Sequence, residues 1–154
     1  MINLSLARTQ DLDILREMSI QTQLDTFAQF NTPQNMDSYI KTAFSLEQLG
    51  KELNERGSVY QIAWEGDEPL GFCRLRLNDE AEAWLGENTI ELQRLYVRTM
   101  YHGRGVGATL MEDAIAYARL KKYDWIWLGV WERNFKAQEF YQKWGFERFS
   151  EHVF

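Results

Sequence analysis

The stretch that decides the fold is Tyr101-His102-Gly103-Arg104-Gly105-Val106-Gly107-Ala108. Three glycines in five residues are more than a turn needs merely to pack a helix against a strand. Before the loop, Ile90 to Val97 (IELQRLYV) is a strongly apolar strand candidate. After it, Val106, Leu110, Met111, Ala114, Ile115 and Ala118 recur at helical spacings, so a helix runs from about Gly105 to the basic pair Lys121 and Lys122. Small residues at a strand-to-helix junction let backbone N–H groups approach a ligand, and the start of the helix favours negative charge. This geometry cradles phosphate oxygens.

Two familiar phosphate-binding patterns fail the test of context. The loop satisfies the dinucleotide fingerprint G-x-G-x-x-A, with Glu132 at the end of the next strand in the place of the ribose acid. A dinucleotide domain needs several more parallel strands, whereas about 46 residues remain after Ala108. The pattern G-x-x-x-x-G-K-[ST] is absent.

Working outward, Ile2, Leu4 and Leu6 alternate as a half-buried strand, and Thr9 is placed to cap a helix carrying Leu12, Leu15 and Met18. Two short helices fill Thr32 to Gly57. One shows Met36, Tyr39, Ile40 and Ala43 on one face; the other follows a Ser45/Gln48 capping box and carries Leu46, Leu49 and Leu53. Val59–Trp64 and Leu70–Leu77 read as strands joined through Glu65-Gly66-Asp67-Glu68-Pro69. An acidic loop, Asn78 to Thr89, precedes the decisive strand. Trp125–Val130 is a further buried strand, Phe135–Trp144 a last helix stopped by Gly145, and the chain is extended again from Phe146. The order β, α, α, β, β, β, α, β, α, β, without repeat or linker, predicts an α/β or α+β domain over residues 1–154, with one mixed sheet covered by helices.

Composition bounds the function. At 154 residues, 45% hydrophobic, with 6 Trp, 7 Tyr and 9 Phe but 2 Pro, the chain is too apolar to be disordered. A net charge of −6 disfavours generic binding to nucleic acid or to an anionic membrane and suits cationic ligands. One cysteine, Cys73, excludes an internal disulfide, and with 2 separated histidines no metal site is expected. No apolar run approaches a membrane span and no leader opens the chain, so a reducing cytoplasm is the expected compartment.

The loop, its strand and its helix resemble the signature of the GCN5-related N-acetyltransferase (GNAT) family, whose pyrophosphate loop reads [Q/R]-x-x-G-x-[G/A]. Here the residues are His102-Gly103-Arg104-Gly105-Val106-Gly107, with His102 in place of Gln or Arg. Downstream, Asn134, Ala137, Phe140-Tyr141 and Gly145-Phe146 resemble the family's N-x-x-A-x-x-F-Y-x-x-x-G-F. Both motifs stand in order and the likeness covers essentially the whole chain. Asp25-Thr26-Phe27 and Thr32-Pro33-Gln34-Asn35-Met36 further resemble the PaiA-type diamine and polyamine acetyltransferases. The resemblance implies the GNAT fold: α/β (α+β), a single mixed, mostly antiparallel sheet flanked by helices. Members finish with two antiparallel strands, and this chain has room for one. That implies a truncated chain, an edge strand supplied by a partner as in a homodimer, or a strand dispensed with.

The same resemblance implies an acetyl-CoA-dependent N-acetyltransferase acting on a small amine. Leu95, Tyr96 and Val97 would line the pantetheine arm. The amides of Gly103, Arg104, Gly105, Val106, Gly107 and Ala108 would hold the pyrophosphate, with Arg104 adding charge at the rim and His102 opening the loop. Asn134 and Ala137 would face the cofactor, although Asn134 is equally placed to cap the last helix.

Acetyl transfer to an amine also needs a proton acceptor, because alkyl ammonium groups titrate near ~10, and a proton donor for the leaving thiolate. Glu91 lies 14 residues before Gly105, the spacing of the base in the histone-acetyltransferase branch. Strict alternation groups it with Gln93, Leu95 and Val97 on one face, as the base or as a strand-end residue reaching solvent. Tyr141 matches the family's general acid; its alternative is an aromatic core residue beside Phe140. Asp25, Glu82 and Trp84 would meet the acceptor, Asp25 from the early helices and the other two from the acidic loop with Asp79, Glu80 and Glu87. Cys73 reads as a small buried strand residue rather than a nucleophile. Alternatives are acetylation of peptide or protein amines, a non-catalytic CoA-binding sensor, and nicotinamide-dinucleotide binding.

Overall fold

The computed structural model describes residues 1–27, 31–78, 85–130 and 133–148. Its sheet has the spatial order β1 (Asn3–Leu6), β2 (Val59–Glu65), β3 (Glu68–Arg76), β4 (Thr89–Val97), β5 (Trp125–Trp127). The first four are paired antiparallel, and β5 joins β4 in parallel, so the sheet is mixed and mostly antiparallel. Helices α1 (Leu12–Phe27), α2 (Pro33–Ala43) and α3 (Leu46–Asn54) come between β1 and β2. Helix α4 (Val106–Leu120) crosses from β4 to β5, and α5 (Phe135–Lys143) follows.

Local chemistry explains the joints. Thr32 Oγ1 accepts the Asn35 N–H with Pro33 at the first helical position of α2, and Ser45 Oγ accepts the Gln48 N–H to start α3. Thr9 caps nothing: Thr9–Asp11 is a 3₁₀ turn leading into α1, and the Asp11 carboxylate caps it by accepting the Arg8 N–H at 2.9 Å. A carboxylate bonding back to the turn's first N–H does the work expected of the hydroxyl. The β2–β3 hairpin closes through Gly66-Asp67, where Gly66 has φ +61°, the glycine-first two-residue turn that matches strand twist.

Each face of the sheet has its own core. On one, Cys73, Leu75, Ile90 and Leu92 pack with Val106, Leu110, Met111 and Ala114 of α4. On the other, Tyr60, Ile62, Phe72 and Tyr96 pack with Leu15 and Met18 of α1 and Leu49 of α3. Two expectations change. The strand expected over Trp125–Val130 pairs only at Trp125–Trp127, with Trp125 48% exposed, because it is an edge strand among the described residues and leaves β4 after three pairs. The extended stretch expected from Phe146 shows no strand over 146–148, and its remainder lies outside the described residues.

Candidate active site

The glycine loop joins the end of β4 to the start of α4. Gly103 and Gly105 both have φ +81°, a left-handed conformation that side chains other than hydrogen strain to adopt. Gly105 is the N-cap of α4 and supplies no side chain, so the first amides of the helix keep their donors for a ligand. A Cβ at either glycine meets nothing within 4 Å, so the constraint in the protein itself is conformational. Gly107 differs. Its Cβ position lies 3.5 Å from Phe140 of α5 and 3.6 Å from Val97, which ties the loop to α5 and the end of β4. His102 donates from Nε2 to the Val97 carbonyl at 2.8 Å and so closes the end of the strand. Arg104 lies 5.5 Å over the Tyr101 ring at the rim.

Beside the loop, the sheet opens. β4 pairs with β3 as far as Val97, but with β5 only through Thr89, Ile90 and Glu91. From Leu92 onward the β5-side edge of β4 has no strand partner among the described residues. The six residues 92–97 span about 20 Å at ~3.3 Å each. A pantetheine arm extending from a pyrophosphate on the loop fits this edge, and an uncapped helix start with left-handed glycines fits the pyrophosphate.

The expected grouping of Glu91 with Leu95 and Val97 is corrected by the pairing. Arg74 faces Arg94 while Leu75 faces Leu92, so Gln93 is an extra residue, a bulge that flips the parity of the strand. Leu92, Leu95 and Val97 therefore share the α4 face, whereas Tyr96 and Glu91 lie on the face of α1 and α3.

Glu91 is 7% exposed. Its Oε1 accepts from Arg76 Nε and, at 3.1 Å, from Asn78 Nδ2, so any further proton acceptance falls to Oε2. Across the parallel pair stands Trp127, whose indole N–H is buried without a hydrogen-bond partner. No motif marked Trp127; its only sequence signal was a place in an apolar strand.

Tyr141 lies on the opposite side of the sheet. Its ring meets Phe140 tilted and Phe146 edge-on, with centroids 5.4 and 5.8 Å apart, and packs on the α4-face core. Burial pushes its phenol up to about 12, and neighbouring Cys73, which faces Leu95 across the strands, adds to the shift. Cys73 is itself 1% exposed with its thiol pushed up to about 12, first by burial and then by Asp113. It is a buried packing residue, as its sequence position suggested.

Asp25 stands at the other end of β4. Its Oδ2 accepts from the Tyr96 hydroxyl at 3.1 Å and Thr99 Oγ1 at 3.2 Å, and its Oδ1 accepts from Gln21 at 2.7 Å. Burial, with Asp25 second, raises the Tyr96 phenol to about 12. Five strand residues separate Tyr96 from Glu91, about 16 Å, so the two carboxylates are not brought together. Asn134 caps α5 by accepting the Ala137 N–H at 3.3 Å, the second of the roles its position allowed. Glu82 and Trp84, with Asp79 and Glu80, lie outside the described residues.

A left-handed glycine loop at an uncapped helix start, next to a strand edge opened by divergence from its parallel neighbour, offers a phosphate-bearing ligand both a nest and an extended edge. Residues 20–146 match the Acetyltransferase (GNAT) family, and the chain belongs to it. It is an N-acetyltransferase that uses acetyl-CoA as co-substrate.

Among curated proteins it is 34% identical, over 145 residues, to an uncharacterized N-acetyltransferase in the pepI 3′ region of Lactobacillus delbrueckii subsp. lactis, covering 94% of this chain and 84% of that protein. It is 30% identical over 115 residues to a spermine/spermidine N(1)-acetyltransferase of Bacillus subtilis, covering 74% of each. Its fold matches a PaiA N-acetyltransferase from Thermoplasma acidophilum, crystallised in complex with coenzyme A, at a TM-score of 0.83 and 24% identity, over 96% of this chain and 90% of that one. Among the described residues no group of three metal-binding side chains occurs, and no helix is long and apolar enough to cross a membrane.

Proposed function

We propose that residues 1–154 act as one cytoplasmic N-acetyltransferase domain whose acceptor is a small polycationic amine such as spermidine. The observation that carries the catalytic part is the division of labour imposed by the Gln93 bulge: Glu91 on the face of the early helices, Tyr141 on the other, and the open edge of β4 between them. Acetyl-CoA supplies an acetyl group activated as a thioester. The amides of residues 103–108 hold its pyrophosphate, and the edge from Leu92 to Val97 aligns the arm. Four strand residues, about 13 Å, separate Glu91 from Leu95, so Glu91 takes the ammonium proton through intervening water rather than by direct contact. Tyr141 keeps its proton throughout the working pH range and delivers it to the leaving sulfur. An ordinary phenol lies within ~2 units of a thiol, and burial raises the Tyr141 phenol further, so the transfer is uphill until the thioester breaks.

The choice of acceptor is supported by the net charge of −6, by Asp25 on the α1 side, by the acidic residues 79, 80, 82 and 87 just before β4, and by the likeness to the spermine/spermidine enzyme. The test is thiol release from acetyl-CoA across a panel of diamines, polyamines, amino acids and peptide N-termini. Spermidine or a diamine should show the highest kcat/KM. A peptide N-terminus or neutral-bodied amine turned over far more efficiently would discard the polyamine assignment and leave the acetyltransferase class standing.

A further inference from the structure

On the Glu91 face lies a charged cluster that neither cofactor binding nor proton transfer uses. Arg74 is 1% exposed, and every nitrogen of its guanidinium is engaged: Nε donates to Ser58 Oγ at 3.0 Å, Nη2 to Glu55 Oε2 at 3.0 Å, and Nη1 to Gln93 Oε1 at 2.6 Å. The Tyr60 ring lies 5.4 Å from the guanidinium carbon. Next along β4, Arg94 Nη1 donates to Glu52 Oε1 at 3.0 Å and to the Tyr60 hydroxyl at 2.7 Å, and that hydroxyl donates to the same Glu52 oxygen at 2.6 Å. Two guanidiniums, with carboxylates from α3 and the residue after it, thus hold positions 93 and 94 of β4.

Stability alone does not account for this arrangement. Buried ion pairs are often matched or bettered by apolar side chains of similar volume. Its location is more informative. Gln93 is the extra residue of the bulge, so the ladder to β3 does not fix it, and its side-chain oxygen is instead held by the most deeply buried cation of the chain's described residues. The bulge begins two residues after the last pair between β4 and β5. One extra residue there both ends the shared register and turns Glu91 to the face opposite Leu95.

We propose that Arg74, acting through Gln93, is a positioning residue for acetyl transfer: it fixes the β4 bulge that opens the cofactor edge and aims Glu91. The proposal rests on the acetyltransferase reading. Gln93→Leu removes the oxygen that Arg74 holds, and Gln93→Glu keeps one. Gln93→Asn holds it a methylene short and guards against a Leu variant that does not fold.

Misplacement of about 1 Å in a catalytic group costs on the order of 10²-fold in rate. Gln93→Leu should therefore lower kcat by 10- to 100-fold and shift the acidic limb of the pH–rate profile, with KM for acetyl-CoA within about twofold. Gln93→Asn should move the same way by less, and Gln93→Glu should recover kcat and the acidic limb to within about threefold. Wild-type kcat and pH profile in Gln93→Leu or Gln93→Asn, with only the melting temperature changed, would overturn the proposal. So would equal losses in Gln93→Leu and Gln93→Glu. Failure of the acetyltransferase reading is distinct, since it shows in the wild type as no thiol release with any amine, and that result overturns both.

Discussion

Gly105→Val separates what the loop does for the fold from what it does for the ligand. Gly105 has φ +81°, and a side chain there meets no atom of the protein within 4 Å. The cost to the empty protein is therefore the left-handed backbone alone, about 1–2 kcal/mol. For a chain of this size that lowers Tm by roughly 2–8 °C and leaves it folded. The ligand fares differently. Phosphate oxygens must come within ~3 Å of the amides that open α4, in the space an isopropyl group fills. Losing two charge-assisted hydrogen bonds of roughly 1.5–3 kcal/mol each removes about 3–6 kcal/mol, or 10²- to 10⁴-fold in affinity. The control is Gly66→Val at the β2–β3 turn, where φ is +61° and a Cβ also meets nothing within 4 Å. Calorimetric titration with coenzyme A should show wild-type affinity in Gly66→Val and no measurable binding in Gly105→Val, with comparable melting shifts. Coenzyme A bound by Gly105→Val within about threefold of wild type would refute the assignment of the loop. Equal weakening in both variants would show that binding tracks stability rather than loop geometry.

Glu91→Gln should lower kcat by on the order of 10² and flatten the acidic limb of the pH profile, with coenzyme A affinity by calorimetry unchanged. Tyr141→Phe should lower kcat similarly and remain folded by circular dichroism, because the ring contacts to Phe140 and Phe146 survive. Gly71→Ala should be severely destabilising, since its Cβ would stand 2.2 Å from the Tyr96 carbonyl oxygen. A loss of about 3 kcal/mol, read as a Tm fall of roughly 6–12 °C, is expected. Cys73, Tyr96 and Tyr141 all have pKa values raised to about 12 in the folded chain, so each adds stability that is whole below its unfolded value, 9 for the thiol and 10 for the phenols, and is lost as pH rises toward 12. Urea titrations should show stability falling from about pH 9, with a later onset in Cys73→Ala.

How much could be read beforehand divides along physical lines. The glycine loop was legible because three glycines in five residues signal a left-handed backbone, which Gly103 and Gly105 adopt, and the helices were legible because burial repeats at 3–4 residues in α3 and α4. The cap at Ser45 followed from a side chain that satisfies an orphan amide, whereas the one at Thr32 was not read. Glu91 was singled out by spacing, and alternation put it on the wrong face. Alternation assumes a continuous ladder, and one inserted residue at Gln93 reverses every side chain before it without any mark in composition. The Arg74–Glu52–Arg94 cluster escaped because its members are scattered from α3 to β4 and carry charges that normally signal a solvated face. Trp127 was lost among six tryptophans of which burial in a core was the economical reading.

In the proposed mechanism, the bulge also bears on how acid and base could coexist next to one reacting centre. Had β4 kept strict alternation, Glu91 would share the α4 face with Leu95, Val97 and the Tyr141 ring, where Arg76 and Asn78 do not reach. A carboxylate on that apolar face would lack both its donors and favour its neutral form. With Gln93 bulged out of the ladder, Glu91 instead meets Arg76 and Asn78, while Tyr141 stays in a desolvated setting that holds its phenol protonated. One strand thus offers two electrostatic environments at neighbouring positions, polar and ion-paired on the acceptor side, apolar on the thiol side. A charged carboxylate can accept a proton in the first, and a protonated phenol can give one in the second. This makes a sharp claim about sequence change. Deleting Gln93 should leave a regular ladder with every face as it stands, Glu91 still opposite Arg76 and Leu92 opposite Leu75, but without the bulge beside the open edge, and turnover should be lost. The single substitution Gln93→Leu, which keeps the extra residue, should retain a measurable fraction. Steady-state thiol release on the two variants side by side decides it: equal residual rates would mean that the bulge plays no part in catalysis.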